Sequence, residues 1–546
     1  MGMDSRTVYA AWARAASCAS RPGQKDTRPT PALERGPSAP ARNRDRAPAA
    51  LRRQVAGATA AVDGAHYYTS GMTAPPELEL DGAALRRMIL LAAERVAHFV
   101  DTLPSQPAAD VTGGVELARA LVEDLPERGT PFEELLALLF DRVVPKAFNT
   151  TGPGYLAYIP GGGLLQTAVA SFLGDAVNRY VGVWLAAPGM VQLEANVIRW
   201  FCQIVGYPPA AAGFLTSGGS LANFGAVVAA RHAVLGEQFL RGTVYASDQA
   251  HHSVEKAAAL AGFPAAQVRL IPSDERFCMR VGELEARIAA DRRAGFVPCL
   301  VVASAGTTNT GAVDDLEAVA DVAQREHVWL HVDAAYGGFF LLTERGRQAM
   351  PGVARADSVT LDPHKALFLP YGTGCLLARD GAALRRAHAL TADYLPAMQE
   401  TDDLVDFCQI SPELSRPPRG LGVWLPLKLH GAAAFRRALD EKLDLARWAA
   451  RELHGLAPAI EVVAEPQLST VAFWLQRPGL DTDALNRLNR SLLERINRRQ
   501  HVHLTGTMLG SRFALRICVV SFRTHQDRME QCLADIRAAV RELQAD

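Results

Sequence analysis

The stretch CLVVASAGTTNTGAVDDLEAVADVAQREHVWLHVDAAYGG, Cys299 to Gly338, decides the fold. It reads as an apolar strand, a loop, a helix capped by Asp314 and Glu317, and a second apolar strand ending at Asp333. Upstream, GFLTSGGSLANFGAVVAARHAVL, Gly213 to Leu235, reads as a strand end, a glycine loop and a helix. Strands alternating with helices predict an α/β protein with a mainly parallel sheet covered on both faces.

Outward from this centre the pattern changes twice. Order is expected to begin near Asp81, where Leu85, Met88, Ile89, Ala92, Val96 and Phe99 recur at helical spacing. A second helix is expected in TPFEELLALLFDRVV, with Thr130 as N-cap, Pro131 at the first helical position and Glu133 completing a capping box. From about Phe435 longer helices precede the strand-like STVAFWL and FALRICVV, which predicts a smaller C-terminal α+β domain. The expected divisions are a tail at 1–74, a helical segment at 75–150, a large α/β domain at 151–434 and the small domain at 435–546.

The tail is rich in Arg, Pro, Ala and Ser and has no sustained apolar period, so it is expected to be disordered and dispensable. Asp26, Glu34 and Asp45 argue against a transit peptide, and Arg6 breaks the N-myristoylation pattern. A nucleic-acid arm would lack interleaved aromatics. With 49% hydrophobic residues and a net charge of -1, the chain has material for a large core and no electrostatic call on nucleic acid or anionic membrane. Eight cysteines from Cys18 to Cys532 form no C-x-x-C pair, which fits reduced thiols in a cytoplasmic protein. The uncharged segments 149–174 and 207–230 are broken by Gly, Pro and hydroxyl residues, so neither is expected to span a membrane.

Ligands of open parallel sheets bind at the carboxyl ends of strands, and four polar clusters fall there. They are TSGGS at Thr216–Ser220, DQAHH at Asp248–His252, HVDAAY at His331–Tyr336 and DPHK at Asp362–Lys365. In SGGSLAN the glycines admit close approach and the helix start offers N–H groups to an anion; the plain alternative is a tight turn with a Ser220 cap. Asp333 ends a strand buried on both faces, where a protonated pyridine nitrogen would meet its charge; capping is the commoner role of such a residue. His251 reads either as a core histidine or as a flat ring stacked on another. His252 carries no separate role, and no metal site is signalled. Lys365 reads as a partly desolvated amine, its neutral form favoured, able to form a Schiff base with a carbonyl. One phosphate, one ring and one amine account for all four clusters.

Taken in order, TSGGSLAN, SDQAHHSVEKA, GTTNTGAVDDL, WLHVDAAYGG and DPHKALFLPYGTG resemble the pyridoxal-phosphate (PLP) dependent group II amino-acid decarboxylases, the family of aromatic-L-amino-acid decarboxylase. The resemblance runs from about Pro75 to the C-terminus. It implies a PLP-dependent transferase fold of type I (aspartate-aminotransferase-like) and a homodimer, with 75–150 as the dimerisation segment. It implies PLP on Lys365, with Asp333 at the pyridine nitrogen and His251 stacked on the ring. Gly219, Ser220 and His364 would contact phosphate, with Thr307, Ala335 and Asp362 around the cofactor. Tyr158, Ile159, Pro160 and Phe407 would line the substrate pocket. The implied reaction is decarboxylation of an L-amino acid, aromatic by resemblance, to the amine and carbon dioxide.

Three departures from the family pattern stand out. Counting back from RGL at Arg419 places the family's loop tyrosine at Phe407, which has no proton to donate. Members with phenylalanine there release an aldehyde, consuming oxygen and losing ammonia; Tyr394 is the other candidate donor. Ala366 and Ile159 stand where relatives carry aromatic residues. Other fold type I lyases and aminotransferases also use a His-Lys pair, although the context of SDQAH and HVDAAYGG disfavours aminotransferases. A non-catalytic scaffold would have little need to keep Lys365, Asp333 and His251 together.

Overall fold

The computed structural model of the protein describes residues 78–389, 404–456 and 458–545. The tail expected at 1–74 and the candidate donor Tyr394 lie outside the described residues.

Seven strands form the central sheet: β1 (Ala212–Thr216), β2 (Gly242–Ser247), β3 (Val268–Ile271), β4 (Val297–Ser304), β5 (Trp329–Asp333), β6 (Ser358–Leu361) and β7 (Gly374–Ala378). Their spatial order is β1-β7-β6-β5-β4-β2-β3. Only β7 runs against its neighbours; every other pairing is parallel. Every residue of β2, β5, β6 and β7 is buried, as expected of strands covered on both faces. A second sheet of β8 (Ile460–Val462), β9 (Thr470–Leu475), β10 (Thr505–Leu509) and β11 (Arg512–Cys518) is wholly antiparallel, in the order β10-β11-β9-β8. Its apolar face shares a core with helices at Thr482–Arg498 and Gln526–Ala545.

Helix α1 (Gly82–Thr102) starts where expected, with the Asp81 carboxylate accepting from Ala84 N at 2.7 Å. Helix α2 (Gly219–Val234) opens directly from the glycine loop after β1. Helix α3 (Arg419–His454) runs through the expected 434/435 boundary and breaks earlier, at Gly431, whose φ of 69° is left-handed.

Two expected caps are corrected. The helix near 130 begins at Phe132 with Pro131 in the cap position, extended at ψ 139°, and no side chain caps it. The helix before β5 is capped by Asp315, not Asp314. Asp314 turns inward instead, accepting from Met279 N and Ser304 N. Burial outweighs those two bonds and pushes its carboxyl up to about 6.

Candidate active site

A cavity of about 270 Å³ opens where the carboxyl ends of the parallel strands converge. Each expected cluster reaches it from a different strand: Gly219 and Ser220 after β1, His251 after β2, Thr307 after β4, Asp333 and Ala335 from β5, and Asp362, His364 and Lys365 after β6. Residues as far apart in the chain as Ser217 and Lys365 thus line one space because the strand order folds β1, β5 and β6 close together.

The rim at the start of α2 is built for an anion. Gly218 N is turned by the Thr216 hydroxyl, and the first N–H groups of α2 face the cavity. A Cβ on Gly219 would lie 2.9 Å from Asp362 Oδ2 and 3.2 Å from the Ala335 methyl, so the close approach requires glycine. The Thr307 hydroxyl is turned into its own loop, 3.0 Å from the Thr310 hydroxyl and accepting from Ala312 N.

Across the cavity the Lys365 ammonium lies 3.0 Å from Asp362 Oδ2, with the lysine side chain 21% exposed. Burial favours the neutral amine, yet the carboxylates of Asp362 and Asp333 outweigh it and hold the Lys365 pKa above its ordinary value. The neutral amine expected from sequence is therefore corrected: without a carbonyl partner Lys365 is an ion-paired cation. Asp362 Oδ1 is buried with no hydrogen-bond partner. His364 Nδ1 donates to Thr373 O at 2.7 Å, and burial, ahead of the opposing Asp362 charge, keeps its pKa below the ordinary value.

Asp333 accepts from Asn223 Nδ2 at 2.8 Å and from Ala335 N at 3.1 Å. His251 Nδ1 sits 2.7 Å from the Ser253 hydroxyl, and burial lowers its pKa despite the pull of Asp333. The imidazole is thus a neutral, flat surface at neutral pH.

Of the expected substrate residues, none lines this cavity: Ile159 and Pro160 are buried, and Tyr158 is 53% exposed. Gly161 packs so tightly on the backbone of His364 and Lys365 that no Cβ would fit, which ties this segment to the lysine turn. Phe407 does not line this chain's own cavity. It is 1% exposed, with Arg416 Cζ 4.5 Å above its ring, and it borders a separate cavity beside Tyr207 and Arg385. Arg416 holds the residues between Phe407 and Arg419 against the large domain through Glu194 and Leu215 O.

Sequence reading gave no role to the buried polar residues at and beside the cavity: Asn223 and Ser253, which line it, and His331 and Thr360, although Asn223, Ser253 and His331 lie within motifs it singled out. The signal available was an asparagine inside an otherwise apolar helix face. It also missed Arg516 on β11, 3% exposed, which donates to Asn309 O at 2.8 Å and brings the small domain to the cavity loop. Among the described residues no cluster of His, Cys, Asp or Glu is disposed to hold a metal, and no helix is long and apolar enough to cross a membrane.

The donor set fits pyridoxal phosphate: a helix start for an anion, an amine for an aldehyde, a buried carboxylate and a flat imidazole around one space. The comparisons agree. A family model described as the pyridoxal-dependent decarboxylase conserved domain matches residues 115–476. An aromatic-L-amino-acid decarboxylase of Bacillus atrophaeus is 36% identical over 468 residues, 85% of this chain and 97% of that protein. Tyrosine decarboxylase 2 of Arabidopsis thaliana is 30% identical over 462 residues, covering 81% of this chain and 84% of that one. The crystal structure of Oryza sativa TDC with PLP and tryptamine superposes with a TM-score of 0.80 at 27% identity, over 86% of this chain and 99% of that chain. The fold is accordingly the type I fold of PLP enzymes. With an amine, a carboxylate and an anion rim in the places this cofactor needs, the chain belongs to the pyridoxal-dependent decarboxylase family and is a PLP-dependent carboxy-lyase.

Proposed function

We propose that this enzyme decarboxylates an aromatic L-amino acid to the corresponding amine as a cytoplasmic homodimer. The observation that carries the reading is the convergence of Lys365, Asp333 and His251 on one cavity beside an anion-binding helix start. When bound, the cofactor supplies a cationic ring that accepts the electron pair left as carbon dioxide departs.

The chain's own groups then take separate roles. Lys365 anchors the cofactor aldehyde, and its pairing with Asp362 keeps the amine beside the carbonyl. With the cofactor bound, Asp333 would meet the positive charge of the pyridine nitrogen, and His251 would lie against the ring and exclude water from it. Gly219, Ser220 and His364 hold the phosphate, with Thr307 and Ala335 packed around the ring. Tyr371, 62% exposed, stands with its ring 5.6 Å from that of His364 and offers exposed aromatic surface beside the phosphate end of the site. The names of the relatives, which act on aromatic amino acids, support the same substrate class. The seven described cysteines are all unpaired, which suits a reducing compartment. Helix α1 supports the dimer: none of its residues is fully buried, and Leu85, Ile89, Leu90, Leu91 and Val96 are exposed.

The aldehyde-forming alternative rests on Phe407, which is buried under Arg416 and does not line the cavity of its own chain. The test is to supply PLP and a panel of aromatic, acidic and basic L-amino acids in air, and to quantify carbon dioxide, amine, aldehyde and peroxide together. Carbon dioxide matched by amine, and fastest from an aromatic substrate, is expected. Carbon dioxide matched by aldehyde and peroxide, or released best from acidic substrates, would overturn the proposal.

A further inference from the structure

Asn223 lies one turn into α2, 2% exposed, and its side-chain amide is fully used. Its nitrogen donates to Asp333 Oδ2 at 2.8 Å and to the Ser253 hydroxyl at 2.9 Å. Its oxygen accepts from the Thr360 hydroxyl at 2.7 Å and from His331 Nε2 at 3.1 Å. Two donors and two acceptor lone pairs are all an amide has. The orientation is not arbitrary, because a carboxylate only accepts, so the nitrogen must face Asp333.

The remaining protons follow from that choice. With its hydrogen on Nε2, His331 faces both Asn223 Oδ1 at 3.1 Å and Thr360 Oγ1 at 3.2 Å, and Nδ1 then accepts from the Ser358 hydroxyl at 2.8 Å. Ser358 in turn accepts from Trp329 Nε1 at 2.9 Å. Burial lowers the His331 pKa to about 4, consistent with this neutral tautomer. On the other branch Ser253 accepts from Asn223 and so gives its own proton to His251 Nδ1, at 2.7 Å. A single amide therefore connects the carboxylate and the imidazole that face the cofactor space, and β5 and β6 fix how that amide points.

We propose that Asn223 is the positioning residue of this site, its amide locked by Thr360 and His331 so that it aims Asp333 and His251 together at the cofactor ring. The inference rests on the roles given above to Asp333 and His251. A merely structural network would lower stability alone; a positioning network also sets how tightly and in what orientation the cofactor is held.

Asn223→Asp keeps the shape and turns both donors into acceptors. Its cofactor affinity, measured by titrating the cofactor-free protein with PLP, is expected to fall at least about tenfold, the loss that accompanies a hydrogen bond to a charged group. Visible circular dichroism per mole of bound cofactor, which reports a fixed ring orientation, is expected to fall as well. Thr360→Val removes only the hydroxyl that locks the amide, and about a threefold loss of affinity is expected from one neutral hydrogen bond. This second variant decides the matter by the same two measurements if Asn223→Asp does not fold. Unchanged affinity and dichroism with a lowered melting temperature would overturn the positioning role and leave a structural network. Asp333→Ala and His251→Ala run alongside: if they too bind PLP as the parent does, the reading of the site itself falls, and this inference with it.

Discussion

At Lys365 two effects of similar kind oppose each other. Taking the amine out of water favours its neutral form, while the carboxylates of Asp362 and Asp333 favour the ammonium, and the carboxylates prevail. The nucleophile that captures an aldehyde is the neutral amine, so the pair has a kinetic consequence. Asp362→Asn removes the larger opposing charge, lets burial dominate and lowers the Lys365 pKa. The rate at which cofactor-free protein captures PLP is then expected to reach its plateau at lower pH than in the parent. A pH profile that does not move would mean that Asp362 does not control the amine. The residues that touch this chemistry were legible because each closes an apolar strand with a polar group, a pattern contained in a few neighbours. Asn223 and His331 were not, since their meaning lies in one another, 108 positions apart. The charge state of Lys365 was not legible either, because it depends on the turn that brings Asp362 to 3.0 Å from the amine and on Asp333, which reaches it only through the sheet.

The segment that carries Phe407 shows what governs an element with no periodicity of its own. Asp406 accepts from Trp184 N at 2.7 Å, Cys408 N donates to Gly182 O, and Arg416 reaches Glu194 at 2.7 Å and Leu215 O at 3.0 Å. Arg416 and Glu194 are 0% and 2% exposed in their side chains. Removing one member of such a pair strands the other without water. Arg416→Met is expected to cost about 3–5 kcal/mol, read from the shift in the urea unfolding midpoint, and adding Glu194→Gln to recover part of it. A loss below about 1 kcal/mol would show that water reaches the pair, as it does for surface ion pairs. Local pattern placed the helices and strands well, including the Asp81 start of α1, and it failed at caps and irregular turns. There a choice between Asp314 and Asp315, or the depth of Phe407, is made by partners distant in sequence.

The parallel part of the central sheet follows from strand–helix alternation, which is written along the chain; the antiparallel small sheet and the reversed β7 do not. Assembly is not written in that way, and it is visible only as burial that a single chain fails to provide. Leu85, Ile89 and Val96 recur along α1 at the spacing of one helix face, exposed by 42%, 37% and 38%. A leucine or isoleucine side chain contributes about 1.5–3 kcal/mol when moved from water to an apolar contact, so covering this stripe is a substantial driving force. A second copy of the chain is the partner proposed here, each α1 covering apolar surface on the other. Light scattering on the parent is then expected to give the mass of a dimer down to low micromolar concentration. Leu85→Glu with Ile89→Glu places two charges on the stripe, and it is expected to yield a monomer whose described core still unfolds cooperatively. A parent that is monomeric, or a doubly charged variant that remains a fully active dimer, would show that the stripe on α1 is covered by something other than a second copy.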